Sequence, residues 1–259
     1  MFRRITFTAM TAIFATAFLP ALAIAQGDLA GALDALKKYD WGSDRSLLEP
    51  IDQAVAASNK DADVQKALEA KLITALNSDT SACAKDYLCR KLSLVGSAQC
   101  VDSVAALLAD EELSHIARYA LERIPNKEAV TAMRDAMNKV SGKLQVGVIN
   151  SLGVRRDEGS VDGLIKLLGN SDQLAASAAA AALGSIGNAD AAKALKTFQD
   201  AAPDELTLVA ADAYLRCAEQ MLKSGKKLEA IAIYKSLMTH NAKHIGLAAR
   251  RGLLAAAQK

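Results

Sequence analysis

Leu92-Ser-Leu-Val-Gly-Ser97, Leu121-Glu-Arg-Ile-Pro-Asn126, Leu152-Gly-Val-Arg-Arg-Asp157 and Leu183-Gly-Ser-Ile-Gly-Asn188 are four versions of one segment. Their leading leucines lie 29, 31 and 31 residues apart. A near-constant period of this size marks a repeat architecture. Five residues after each leucine stands Ser97, Asn126, Asp157 or Asn188. All four types accept a hydrogen bond from the free N–H groups at a helix start, so each is expected to be an N-cap.

Past each cap an apolar stripe recurs. Val101, Val104, Leu107 and Leu108 form the first, and Val130, Met133, Ala136 and Met137 the second. Val161, Leu164, Leu167 and Leu168 form the third, and Ala192, Leu195 and Phe198 a weaker fourth. This spacing buries one face of a helix. A second helical stretch precedes each leading leucine, as from Leu113 to Ile124. Each unit is therefore a helix, a tight turn at Gly96, Pro125, Arg156 or Gly187, and a capped second helix. Short polar links such as Asp110-Glu111-Glu112 and Asn170-Ser171-Asp172 join the units. One such pair cannot bury its own apolar face, whereas stacked pairs share a continuous core. The expected fold class is all-α, a right-handed α-α superhelix. Ala175 to Ala182, nearly all Ala, reads as a first helix squeezed between neighbours.

The Ala182-Leu-Gly-Ser-Ile-Gly187 stretch and its three relatives resemble the HEAT-repeat family, in particular its short bacterial form named after phycobilisome lyases. The resemblance covers roughly residues 81 to 201. In the family an Arg often stands early in the first helix, where this chain has Lys85, Ser114, Gln145 and Ala176. The resemblance implies a binding scaffold and leaves the partner open, because one scaffold hosts many functions. From Ala211 to Leu237 the chain resembles a tetratricopeptide unit instead, through Tyr214, Gly225, Glu229-Ala230-Ile231 and Tyr234. Ala218 and Ala242 replace that family's usual Gly and Pro.

Working outward, residues 29–39, 45–57 and 64–76 read as helices. The loop Asp40-Trp41-Gly42-Ser43-Asp44 separates the first two. Trp41 has two readings: a lid over the open face of the first repeat, or a partner-contact aromatic. The expected organisation is a signal peptide over 1–25 and an N-terminal helical cap over 26–79. HEAT-like repeats follow over 80–203, and a tetratricopeptide-like pair with a capping helix over 204–259.

The signal-peptide reading rests on basic Arg3-Arg4, the uncharged run from Ile5 to Ala23, and the A-x-A site Ala23-Ile24-Ala25. It would leave a mature chain starting at Gln26 in a bacterial periplasm or outside the cell. No later stretch is long and apolar enough to span a bilayer. Without Arg3 and Arg4 the chain would carry 29 basic and 29 acidic residues. That balance argues against a nucleic-acid partner, which needs a basic excess. From Asp204 onward the chain holds nine Lys/Arg and five Asp/Glu, so its tail is basic and the preceding segment acidic. Aromatics at 4% and four prolines, with Ala and Leu abundant, favour close-packed helices over a β-sandwich.

Catalytic signatures are missing: no G-x-S-x-G, H-E-x-x-H, P-loop or C-x-x-C-H motif occurs. The chain is therefore expected not to be an enzyme, with no cofactor and no metal. His240 and His244 have a chelating spacing, but turn histidines are the plainer reading. His115, beside Arg118 and Tyr119, fits a polar cluster better than a catalytic base. Four cysteines remain, Cys83, Cys89, Cys100 and Cys217. Cys89 and Cys100 fall seven before and four after Gly96 on partner helices, so a disulfide between them is favoured over Cys83–Cys89. Cys217 reads as a small core residue. Arg155-Arg156 in an inter-helix turn and Arg250-Arg251 on the last helix are, with Trp41, the candidate partner contacts; solubilising charge is the blander alternative for both Arg pairs.

The leading functional reading is an exported, non-catalytic scaffold that binds a protein or an extended peptide along a concave helical surface. The alternative is an accessory subunit or lyase-like partner of an exported enzyme. A structural spacer in an envelope assembly is a third.

Overall fold

The computed structural model describes residues 28–258, and every regular element among them is helical. The expected signal peptide over 1–25 and its cleavage site before Gln26 lie outside the described residues. Helix α1 covers 28–35 and runs into a 3-10 turn, Leu36–Lys38. Then come α2 (Glu49–Ser58), α3 (Ala62–Leu76), α4 (Ala82–Val95) and α5 (Val101–Ala105). The repeats continue with α6 (Ser114–Leu121), α7 (Lys127–Met137), α8 (Gly142–Arg155), α9 (Val161–Leu167), α10 (Gln173–Ile186) and α11 (Ala189–Ala201). The chain ends with α12 (Asp204–Lys223), α13 (Lys227–Leu237) and α14 (Lys243–Gln258). Among the described residues no helix is long and apolar enough to cross a membrane.

The helices stack in two layers. Helices α2, α4, α6, α8, α10, α12 and α14 follow one another in one layer, each packed on the next even-numbered neighbour or its linking turn. The odd-numbered helices form the second layer, where α5 meets α7 and α9 meets α11. One apolar core, from Leu29 to Ala249, runs the length of the stack between them. This is the all-α solenoid expected from the period.

Small residues set the spacing of the even layer. A Cβ on Gly153 would stand 2.9 Å from Ala182 Cα, and one on Gly184 would stand 2.5 Å from the Ala213 carbonyl oxygen. The Ala-rich α10 therefore lies against the backbones of α8 and α12, and nine of its residues are buried.

Two of the four expected caps form. Ser97 accepts from Gln99 N, and Asn188 accepts from Ala191 N. Asn126 and Asp157 make no side-chain cap. Asp157 is taken by Arg134, whose Nε lies 3.2 Å from its Oδ2 across the α7–α9 junction. Asp61, Ser81, Asp110 and Asp172 supply further caps or turn bonds at helix starts. The buried Glu69 on α3, 2% exposed, accepts from Ser97 N at 2.7 Å and from Ser97 Oγ at 2.8 Å, tying the N-terminal helices to the first repeat.

Candidate functional site

A wide opening lies in the odd layer. Helices α9 and α11 part to leave a groove of about 790 Å³, closed at one end by Pro203 and Leu206 at the start of α12. Ile165, Leu168, Ala194 and Phe198 make its apolar lining. Asp162 and Asp190, each in the first turn of its helix, stand at the rim with Lys193. All three are exposed and none forms an ion pair within the described residues. The volume falls within the range of small-ligand or peptide-side-chain sites. A trough with apolar walls and charged lips can take an apolar side chain whose neighbours are polar.

A single charged motif does not announce this groove. Of the weaker fourth stripe only Phe198 lines it; Ala192, which stands where the earlier units have Val101, Val130 and Val161, does not. A smaller opening of about 390 Å³ separates α5 from α7, with Asp102, Asp135 and Lys139 on its edge.

The residues singled out in the sequence are dispersed over the fold. Trp41 sits in the loop between the first two helical segments and is 76% exposed, so it covers nothing and the lid reading is corrected. Its exposure follows from the turn around it: Trp41 N donates to Asp40 Oδ1, and Gly42 takes φ +87. Arg250 and Arg251 are exposed on α14, far along the stack from Trp41.

Arg155 is turned inward. Its Nη1 donates to the carbonyl oxygens of Glu122 at 3.1 Å and Ile124 at 2.5 Å, where α6 ends. A longer bond reaches Leu121 O, and Nη2 reaches Asn126 O at 3.5 Å. Those carbonyls have lost their helical partners, and a cation at a helix C-terminus also meets the negative end of the helix dipole. Arg155 therefore clamps one repeat to the next, in place of the partner contact expected of it. Arg156, the adjoining residue, is exposed and left-handed, with φ 51.

The expected Cys89–Cys100 disulfide is corrected. All four cysteines are free and buried. Cys100 Sγ faces its own turn, 3.2 Å from the Ser97 carbonyl oxygen, and would be 2.7 Å from a Cβ on Gly96. Burial pushes the Cys89, Cys100 and Cys217 thiols up to about 12. Such thiols are poor nucleophiles and poor metal ligands.

His240 acts locally: its Nδ1 accepts from Ala242 N at 3.1 Å in the turn before α14. His244 and His115 are exposed. Among the described residues no group of three or more His, Cys, Asp or Glu side chains is placed to hold a metal ion.

One polar cluster stands apart from these. Asp52 on α2 accepts from Tyr87 Oη at 2.7 Å and pairs with Lys91 Nζ at 2.6 Å, both on α4. Arg45 adds a longer contact at 3.4 Å, and Lys91 Nζ also lies 4.8 Å from the Tyr87 ring centre. Burial works against the Asp52 carboxylate, but the Lys91 and Tyr87 hydrogen bonds and the Lys91 and Arg45 charges outweigh it and hold its pKa below the ordinary value. The Tyr87 hydroxyl is pushed up by burial and by the carboxylate it serves. The cluster joins α2 to α4 and is structural.

Comparison with known proteins agrees with this architecture. The family model described as HEAT repeats matches residues 135–214. None of the curated proteins matches the chain in sequence. Among solved structures, an engineered protein shares 20% identity at a TM-score of 0.40, covering 89% of this chain and 69% of its own. Human deoxyhypusine hydroxylase in complex with glycerol shares 17% at 0.38, covering 76% of this chain and 98% of its own. The complex of CpcE and CpcF of phycocyanin lyase from Nostoc sp. PCC7120 shares 17% at 0.42, covering 98% of this chain and 99% of that one. These are likenesses of fold at low identity. Two of the three are nonetheless enzymes by name, which corrects the expectation that the chain is not an enzyme. Repeats of this kind occur in catalytic proteins, so missing motifs do not separate the two classes. Residues 135–214 match the HEAT-repeat model, and they lie within a longer stack of similar helical hairpins.

Proposed function

We propose that this HEAT-repeat scaffold binds a protein or an extended peptide in the groove between α9 and α11, and that it does so after export to a periplasm or out of the cell. The groove itself carries the binding reading: about 790 Å³ of space with Phe198 and Ile165 in its wall and unpaired Asp162, Asp190 and Lys193 at its rim. Stacked hairpins expose long surfaces of this type, and affinity comes from several shallow contacts along them. The export reading rests on the basic start, apolar run and Ala23-Ile24-Ala25 site of the sequence.

The test is site-specific. A photo-crosslinking residue at exposed Thr197, on the groove wall, is expected to capture a discrete partner in the native host, and the same residue at Thr74 on α3 is not. Ala194→Arg, which fills the groove, should abolish capture while the circular dichroism spectrum is kept. Capture undiminished by Ala194→Arg would refute the groove as the binding site. For export, N-terminal sequencing of the protein from its host is expected to begin at Gln26; an intact Met1 start on cytoplasmic protein would refute that part.

A further inference from the structure

On the opposite, even-numbered layer, Arg156, Arg216 and Lys223 line one polar cavity of about 230 Å³ where α8, α10 and α12 end side by side. Glu219, Gln220 and Ser185 complete its lining. The three cations are exposed, and within the described residues none forms an ion pair or a side-chain hydrogen bond. Three cations share this small space with one carboxylate, Glu219, which leaves an excess of positive charge for an anion to meet.

The backbone provides a second, independent sign. Arg156 is the only non-glycine described residue at positive φ. It ends α8 in a left-handed turn, with Arg156 N donating to Gly153 O and Asp157 N to Leu152 O. The next repeat builds the equivalent turn at Gly187, with φ 65. Glycine is favoured at that place because a Cβ disfavours the left-handed region. Placing Arg at 156 works against the local fold, and strain of this sort collects at functional positions. Arg156 lines the cavity together with Arg216.

The geometry points to an oxyanion site here, fitted to a phosphate monoester on a small hydroxylated group. Two guanidinium forks and an ammonium match the three terminal oxygens of a phosphate. Glu219 disfavours a second anionic group and can accept from a hydroxyl of the ester, while Gln220 and Ser185 offer neutral partners. The same phosphate chemistry could be presented by a soluble metabolite or by a lipid headgroup. This site lies on the other layer from the proposed peptide groove and does not depend on it.

The test uses the full chain, with glycerol 3-phosphate as probe and sodium chloride at equal ionic strength as control. Calorimetric titration and thermal melting are read together. The parent protein is expected to bind saturably and melt several degrees higher with the probe than with chloride. Arg156→Gly should leave the ligand-free melting temperature unchanged or raised, since it relieves the left-handed Arg, yet weaken binding at least tenfold. Arg216→Gln should weaken it similarly. Vesicles containing phosphatidic acid, set against phosphatidylcholine alone, distinguish the sources: retention of the parent but not of Arg156→Gly would assign the phosphate to a lipid. The proposal is overturned if neither probe nor vesicle binds. It also fails if chloride reproduces the shift, if Arg156→Gly binds as the parent does, or if that variant melts markedly lower without ligand.

Discussion

Arg155 on α8 closes the end of α6 by donating to the Ile124 carbonyl oxygen, 31 residues earlier in the chain. The contact joins two successive repeats through main-chain groups that have no other helical partner. Arg155→Ala leaves the Glu122 and Ile124 carbonyls facing a partly buried gap. Hydrogen bonds to a charged group contribute about 1.5–3 kcal/mol, so the loss should be about 2 kcal/mol in urea unfolding. Arg155→Lys retains the charge without the planar fork and should recover only part of it. A variant as stable as the parent would show that the clamp carries no net energy.

The approach of α10 to α12 predicts a reversal of the usual glycine rule. In an open helix, Gly→Ala stabilises by up to about 1 kcal/mol. Gly31, where an added Cβ would meet nothing within 4 Å, should follow that rule. Gly184 should not, because its Cβ would meet the Ala213 carbonyl oxygen at 2.5 Å and a backbone cannot rotate aside. Gly184→Ala should cost about 1–3 kcal/mol, the usual range for overpacking. Equal and positive effects at both sites would mean that α10 and α12 stand further apart than that contact requires.

Four buried thiols predict slow chemistry. With Cys89, Cys100 and Cys217 held protonated near pH 8, a thiol reagent such as iodoacetamide should leave these three unmodified in the folded protein. In denaturant without reductant all four, Cys83 included, should react. Intact-mass analysis reads both results. A protein lighter by two hydrogens, with Cys89 and Cys100 the two thiols blocked, would restore the Cys89–Cys100 bridge.

How far the sequence speaks is visible at Arg155 and Arg156. The period puts both in an inter-helix turn, but Arg155 is still helical as the last residue of α8, and only Arg156 lies in the turn, as its cap. Nothing in the residues around them says that one turns inward to α6 and the other outward toward α12. That choice belongs to packing between repeats, which local pattern does not encode. The caps show the same division. Ser97 and Asn188 bind their own helix starts, whereas Asp157 answers Arg134 from the preceding repeat. Cys100 likewise falls on the hairpin that the period assigns to it, yet side-chain direction within a 3-10 turn sets its thiol against Ser97 O. The groove is lined from α9, α11 and the start of α12, a meeting of separate elements that no local pattern records.

Asp52 gives the pH dependence of the N-terminal end. Burial alone would raise its pKa, but Lys91 and Tyr87 overcome that and hold the folded value below the ordinary carboxylate one. A depressed carboxylate contributes stability that is fully present above its unfolded pKa and is lost as pH falls through the folded one. Between neutral pH and about pH 5 the contribution should therefore be constant, and below about pH 4 it should decline. Asp52→Asn keeps the shape but replaces the charged acceptor of Lys91. At pH 7 it should cost about 1 kcal/mol, a figure reduced from that of a buried pair because the side chain is one-third exposed. Toward pH 3 the curves of variant and parent should converge, since protonation removes the same charge from the parent. Parallel curves across the whole range, measured by urea unfolding at each pH, would show that Lys91 and Tyr87 do not stabilise the ionised form.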